Sequence, residues 1–181
     1  MNRESMLWQP LGKIFDPTEY RLLHGQGNYA QGPQAVVLED RVRILFSTRY
    51  RDATQQFVSF LSYVDFSKNL TDVIAVATHE ILAVGGTGEF DEHGIFPINI
   101  LDQGKDVFGF TTGWSRRQSV PAESSIGLVR STNRGHTFER VSRGPVLSAN
   151  LKEPFLVADG CVTKTEAGYA MHYIFGTSWL S

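Results

Sequence analysis

The sequence predicts an all-β fold, because one two-strand pattern occurs in it three times at a steady spacing. The copies are Gly32–Asp40 followed by Arg41–Arg49 (R-V-R-I-L-F-S-T-R), Phe96–Ile100 followed after a polar turn by Val107–Gly113 (V-F-G-F-T-T-G), and Gly160–Lys164 followed by Tyr169–Thr177 (Y-A-M-H-Y-I-F-G-T). Phe46, Phe110 and Ile174 occupy matching places roughly 64 residues apart, and a fixed internal period is the mark of a repeat architecture. Within the runs the residues alternate with a period of two: Val42, Ile44 and Phe46 oppose Arg41, Arg43 and Leu45. Each copy therefore reads as one blade of a partial β-propeller, with about two and a half four-stranded blades in the chain.

Residues Leu7–Phe15 read as a short entering strand that ends at the Asp16-Pro17 turn signal. Tyr20–Gly32 has three glycines and no sustained period, which predicts a loop carrying His24, Gln26, Asn28 and Gln31. Four strand-like runs follow: Gln34–Leu38, Val42–Thr48, Gln56–Asp65 and Val73–Val84. The last is long enough for a helix, but its β-branched residues favour one long or broken strand. The second unit repeats the order with Ile95–Leu101, Val107–Trp114, Ser124–Ser131 and Phe138–Leu147. The third supplies only its first two strands before Trp179 and Ser181. Two and a half blades cannot close a ring, which predicts either a fragment of a longer protein or open edges covered by a partner, including a homo-oligomer.

Composition bounds the function. The 181 residues are 41% hydrophobic, 12% aromatic and 20% charged, the balance of a soluble globular chain. A formal charge of -2 offers no broad electrostatic footprint for nucleic acid or an anionic membrane. The longest apolar stretch, Val73–Val84, is interrupted by His79 and Glu80 and is too short to span a bilayer. Cys161 is the only cysteine, which excludes an intrachain disulfide and a thiolate zinc site. No apolar run follows the early charge of M-N-R-E-S-M-L-W, so the expectation is no signal peptide and a cytoplasmic protein. Gly85-Gly86-Thr87-Gly88 lacks the lysine-serine pair of a phosphate loop, and neither a G-x-S-x-G elbow nor a histidine metal motif occurs. The expectation is therefore no cofactor and no metal.

Two stretches carry more information. Ser131–Phe138 (S-T-N-R-G-H-T-F) resembles the Asp-box hairpin turn of sialidases and related propellers, with Asn133 in the aspartate position. There Asn133 can accept backbone hydrogen bonds, Gly135 supplies a positive φ and Phe138 packs beneath the turn, which makes it a folding device. Gly88–Pro97 (G-E-F-D-E-H-G-I-F-P) sets two carboxylates, a histidine and two glycines directly before an apolar strand.

Together with W-Q-P-L-G-K-I-F-D-P-T, P-Q-A-V-V-L-E-D-R-V-R-I-L-F-S-T-R and L-K-E-P-F-L-V-A-D-G, these stretches resemble the glycoside hydrolases of the five-bladed β-propeller type. Those are similar in fold to the arabinanase, β-xylosidase, invertase and mannoside-phosphorylase clans, and many sit among polysaccharide-synthesis enzymes. The resemblance covers nearly all of this sequence, though only about the amino-terminal half of such a protein. It implies one partial five-bladed propeller over residues 1–181, with blade one at about 33–85, blade two at about 94–147 and blade three from about 155. It further implies a sugar or oligosaccharide ligand and either hydrolysis or phosphorolysis at the funnel mouth, the alternative being a non-catalytic glycan-binding or assembly module. Carried over by position, the catalytic carboxylates are Asp91 and Glu153, with Asp159 a competitor for the latter. The first-blade aspartate of the hydrolytic clans has no counterpart in Tyr20–Gly32, where Tyr20, His24, Asn28 and Gln31 stand instead, with Glu19 just before them and Asp16 further out.

Each candidate has a structural alternative. Glycoside cleavage needs a proton donor and a second carboxylate. Asp91 and Glu153 can serve, or Asp91 caps its loop and Glu153 makes a surface ion pair with Lys152 or an arginine. His24 and His93 are substrate contacts or hydrogen-bonded loop histidines. Trp114 and Trp179 end equivalent strands, with Arg49 close to that place in the first unit; a tryptophan face stacks on a sugar ring and an arginine forks onto carboxylate or phosphate, unless all three pack between blades.

Overall fold

The computed structural model describes residues 9–26 and 29–179. After a 3-10 turn at Pro17–Glu19 come twelve strands: β1 (Arg21–Leu22), β2 (Gly25–Gln26), β3 (Gln31–Val37), β4 (Val42–Arg51), β5 (Phe57–Phe66), β6 (Val73–Val76), β7 (Gly94–Asp102), β8 (Val107–Arg116), β9 (Ala122–Ser131), β10 (Glu139–Arg140), β11 (Val157–Thr165) and β12 (Gly168–Phe175). The chain is all-β, with no α-helix among the described residues and no helix long and apolar enough to cross a membrane. Strands β3 to β6 form one antiparallel meander and β7 to β10 a second, and a single parallel bridge, Ser59 to Gly94, joins them into a mixed sheet. Strands β11 and β12 form a separate hairpin, and β12 has no second neighbour among the described residues. The described strands do not close into a ring.

The two-residue alternation explains how the first meander is buried on both faces. Leu45, Leu61 and Tyr63 join Ile95, Ile98, Val107 and Val129 of the second meander in one core. Phe46 and Val64, next to Leu45 and Tyr63 in the chain, point the other way and with Phe66 pack against Leu22, Ile14 and Phe15. Arg43 would be costly on the first face if unpaired, but it stands opposite Asp65 on β5. Its Nε and Nη2 each donate to that carboxylate at 2.8 Å while its plane covers the Tyr63 ring at 3.9 Å. A buried charge with a forked partner and a ring beneath it keeps its hydrogen bonds without water.

The turn at 131–138 forms as its residues predict. Ser131 Oγ accepts from the Gly135 amide at 2.8 Å, Asn133 Oδ1 accepts from the Thr137 amide at 2.9 Å, and Phe138 is buried. Arg134 then reaches the β3 end, donating to the Val37 carbonyl at 2.9 Å, and pairs with Asp102 at the end of β7.

Several expected boundaries move. Only Val73–Val76 of the predicted Val73–Val84 strand is extended; Ala77, Ile81 and Leu82 turn inward to fill the core between the meanders, which a straight edge strand could not do. Phe138–Leu147 contributes only the short β10 and a return bridge from Leu147 to Ile126. Gln9–Phe15 is not a strand, Leu7 and Trp8 lie outside the described residues, and the expected loop at 20–32 contains the β1–β2 hairpin.

Gly94 sits where the meanders meet, with φ 147°. A Cβ there would lie 2.6 Å from the Ser59 nitrogen, 2.7 Å from its carbonyl oxygen and 2.7 Å from Trp114 Nε1. Gly135 has φ 77° but meets nothing closer than 3.4 Å. Gly94→Ala is therefore expected to cost about 2–4 kcal/mol through strain and overpacking together. Gly135→Ala should cost about 1–2 kcal/mol from φ alone. Chemical denaturation of both variants checks the order, and equal losses would show that the backbone approach at Gly94 contributes nothing.

Candidate functional site

The first strand of each unit is interrupted at the same place. The pairing register shifts between Gln31 and Gln34 on β3, between Ile95 and Ile98 on β7, and between Ala158 and Cys161 on β11. An extra residue in one strand bends it and re-aims its side chains. All three bulges turn toward one cavity of about 730 Å³, lined by Gly32 and Pro33 from the first, Phe96 and Pro97 from the second, and Ala158 and Asp159 from the third. That volume suits a small ligand.

Asp159 is the carboxylate on this wall. Its φ of 56° is unusual for a residue with a side chain, and the tight Gly160 behind it explains the local shape, since a Cβ on Gly160 would lie 2.9 Å from Ile126 Cδ1. Asn99 Nδ2 donates to Asp159 Oδ1 at 2.8 Å, and the Asp159 amide donates to Thr112 Oγ1 at 2.7 Å. Ser124 Oγ donates to the Val157 carbonyl at 3.0 Å, so the wall's own polar groups dock the third hairpin on the second meander. The second carboxylate oxygen of Asp159 has no such bond among the described residues.

Trp114 and Arg49 also line the cavity, whereas Trp179, the third residue at that repeat position, does not. The Arg49 guanidinium lies among aromatic rings, 5.3 Å from the Phe96 centroid, 5.6 Å from Tyr29 and 6.0 Å from Phe57. These are cation–π distances.

The remaining candidates lie elsewhere. Asp91 is 1% exposed and points away from the cavity: Arg140 Nε donates to its Oδ2 at 3.2 Å and Arg140 Nη2 donates to the same oxygen. The reason is its neighbour. Phe90 fits a notch where β8 and β9 carry Gly113 and Gly127, each of which would clash with the ring if it had a Cβ. The Asp91 Cβ packs at the same glycine, 2.5 Å from where a Cβ on Gly113 would stand, and its carboxylate continues to Arg140.

Glu153 lies in the turn before β11, where it accepts from Tyr173 Oη at 2.7 Å and from Asn150 Nδ2 at 2.8 Å, and it does not line the cavity. The partners are Tyr173 and Asn150, where Lys152 or an arginine was the structural expectation. The hydrogen bond to Glu153 also holds the Tyr173 hydroxyl above its ordinary value of 10.0.

His93 serves the sheet junction. Its carbonyl accepts from the Ser59 amide at 3.2 Å and its Nδ1 accepts from the Arg116 amide at 3.3 Å. His24 stacks on Tyr50 at 4.0 Å and meets the edge of Phe60, on a different surface. Gln31 begins β3 beside the cavity without lining it, and its Oε1 is buried without a partner. Trp179 is 38% exposed beyond the end of β12. Asn28 lies outside the described residues. The sequence reading missed Asn99, Thr112 and Ser124; Phe96-Pro97 could have been found, because Pro33 and Pro97 hold the same place in the repeat.

Two predictions concern stability. Asp91→Asn should leave Arg140 without its buried anion and cost about 1–3 kcal/mol, short of the 3–5 kcal/mol of a fully buried pair because Arg140 is partly exposed. A denaturation midpoint equal to that of the parent protein would return Asp91 to the list of functional carboxylates.

Burial holds His24 below its ordinary 6.5 against the opposing charge of Glu80. Burial also lowers His136, assisted by His79 and Arg43 and opposed by Asp65. Groups with depressed values bind more protons when unfolded, so their contribution is complete above 6.5 and is lost as the pH falls through the folded values. Melting temperature should fall below that pH, and a His24→Asn, His136→Asn double variant should flatten the profile. An unaltered profile would assign the acid sensitivity to other groups.

No family model matches the chain. It is 29% identical over 175 residues to two uncharacterized proteins of Mycobacterium tuberculosis, MT1551 of strain CDC 1551 / Oshkosh and Rv1502 of strain ATCC 25618 / H37Rv, a match that covers 96% of this chain and 56% of each relative. The chain thus spans little more than half the length of the curated relatives it matches. Among solved structures it is similar to one described as a glycoside hydrolase, with a TM-score of 0.66, 14% identity, and 92% of this chain and 53% of that one covered. It is also similar to one described as a complex of BT0996 and RGII, with a TM-score of 0.67 at the same identity and coverage. Likeness at this identity concerns the fold, which is glycoside-hydrolase-like.

Proposed function

We propose that this protein binds a carbohydrate in the cavity formed by its three bulged strands. In this reading the units are successive blades of an incomplete five-bladed β-propeller, with blade one at about 33–85, blade two at about 94–147 and blade three from about 155. The observation that carries the proposal is the convergence of three equivalent bulges on one cavity that holds Trp114, Asp159 and Arg49 together. An apolar indole face beside convergent carboxylate, amide and hydroxyl groups matches the two-sided character of a sugar ring, whose C–H surface stacks while its hydroxyls bond outward. The solved neighbour described as a glycoside hydrolase supports the same ligand class.

Cleavage requires more. Of the carboxylates expected to act, Asp159 lines the cavity, whereas Asp91 is bound to Arg140 and Glu153 to Tyr173 and Asn150. Both hydrolytic schemes need two carboxyl groups across the glycosidic bond. The described residues therefore account for binding and orientation, with Asp159 the one acid able to exchange a proton with a bound sugar. Hydrolysis or phosphorolysis needs a further group delivered to the same cavity. The single carboxylate favours the second reading, a glycan-binding module without turnover.

Calorimetric titration with a panel of neutral oligosaccharides tests this. Trp114→Ala should weaken binding by about tenfold through loss of stacking. If the protein turns over a glycoside, Asp159→Asn should lower the rate about 10²-fold or more while the fold is retained. Unchanged affinity in Trp114→Ala, with Asp159→Asn equally silent, would remove the cavity from the glycan reading.

A further inference from the structure

We infer that the cavity selects an acidic sugar, whose carboxylate lies on the Arg49 guanidinium; this rests on the glycan reading above and names the ligand class within it. Among the described residues Arg49 makes no hydrogen bond or ion pair, and its Nε is buried without a partner. The chain's other inward-facing arginines are engaged: Arg43 with Asp65, Arg140 with Asp91, and Arg116 with Asp52 and the Phe57 carbonyl. An arginine held between rings on a cavity wall, with donors unspent, offers a preoriented fork to an anion. Phe96 and Phe57, with ring centroids 5.3 Å and 6.0 Å from the guanidinium carbon, limit the side chain's freedom, so little ordering is needed when the anion arrives.

The charge balance selects the anion. Among the described residues Arg49 is the one cation lining the cavity and Asp159 the one carboxylate. A carboxylate carries a single negative charge and presents two coplanar oxygens that match one guanidinium. A phosphate brings nearly twice the charge and a third oxygen, for which the wall offers no second arginine or lysine and a repelling aspartate instead. The sugar ring attached to that carboxylate then lies toward Trp114, with its hydroxyls within the reach of a wall that includes Asn99 and Asp159.

The test compares a uronic-acid oligosaccharide with its methyl ester, which has the same rings and hydroxyls but no charge, by titration calorimetry at low ionic strength. The acid should bind about ten- to a hundredfold more tightly than the ester, the range expected of a charge-assisted pair. Added salt should narrow that gap. Arg49→Gln should abolish the preference, so that acid and ester bind alike, and Arg49→Lys should restore it in part. Equal binding of acid and ester, or a preference that survives Arg49→Gln, overturns the inference and leaves the glycan reading standing. Competition of inorganic phosphate with the acid at equal concentration overturns the choice of carboxylate. Binding of neither sugar overturns both readings together.

Discussion

Gly94 meets the backbone of Ser59 closely enough that no side chain can stand between them, and the arrangement of the two meanders depends on this contact. Among the described residues the strands of the two meanders share one apolar core and a single backbone bridge, so the core supplies the attraction and the bridge fixes where the backbones meet. Glycine in a strand marks such an approach. Its consequences reach the cavity directly. Ser59 and Trp114, which surround Gly94, both belong to the cavity wall, and the carbonyl of His93 completes the junction. A shift at Gly94 would displace the wall at the place where a ligand ring would rest.

The cavity itself comes from irregularity in otherwise regular strands. Antiparallel strands without bulges would direct alternate side chains to the two faces of their sheets and leave no convergence. One register shift in β3, β7 and β11 bends each strand at the same relative place, and the three bends face one another. Asp159 lies within the third bend at a positive φ. That conformation is held in place by the surrounding bonds, here from Asn99 and to Thr112, which fix where the carboxylate stands on the wall.

Arginine has separate roles in this protein according to what faces it. Arg43 and Arg140 neutralise buried aspartates, and Arg134 links a turn to two distant strand ends. The first two are part of the framework because removing either partner would strand a charge away from water, whereas the exposed Arg134 pair ties its turn in place through hydrogen bonds. Arg49 differs in having rings where the others have carboxylates. A cation beside aromatic faces and without a carboxylate partner keeps its hydrogen-bond donors unspent, which is the physical basis for proposing Arg49 as a ligand contact.

The repeat, the two-residue alternation of β4 and β5 and the turn at 131–138 were legible in the chain because each depends on neighbours close in sequence: the pleat, a positive φ, an asparagine reaching its own turn. The repeat position singled out Arg49, Trp114 and Trp179 together, but only the first two line the cavity, because where the third hairpin docks is decided by packing rather than by the repeat. The direction of Asp91 was not legible either. It is decided by Phe90 entering a notch made by Gly113 and Gly127 and by Arg140 waiting on the far side, residues on three other strands that no local pattern connects. The same holds for the end of β6, where Ala77, Ile81 and Leu82 leave the strand to fill the space between meanders. Local pattern determines which residues can pleat and turn; which carboxylate reaches the cavity is settled only when distant strands pack, because burial and pairing are properties of the assembled core.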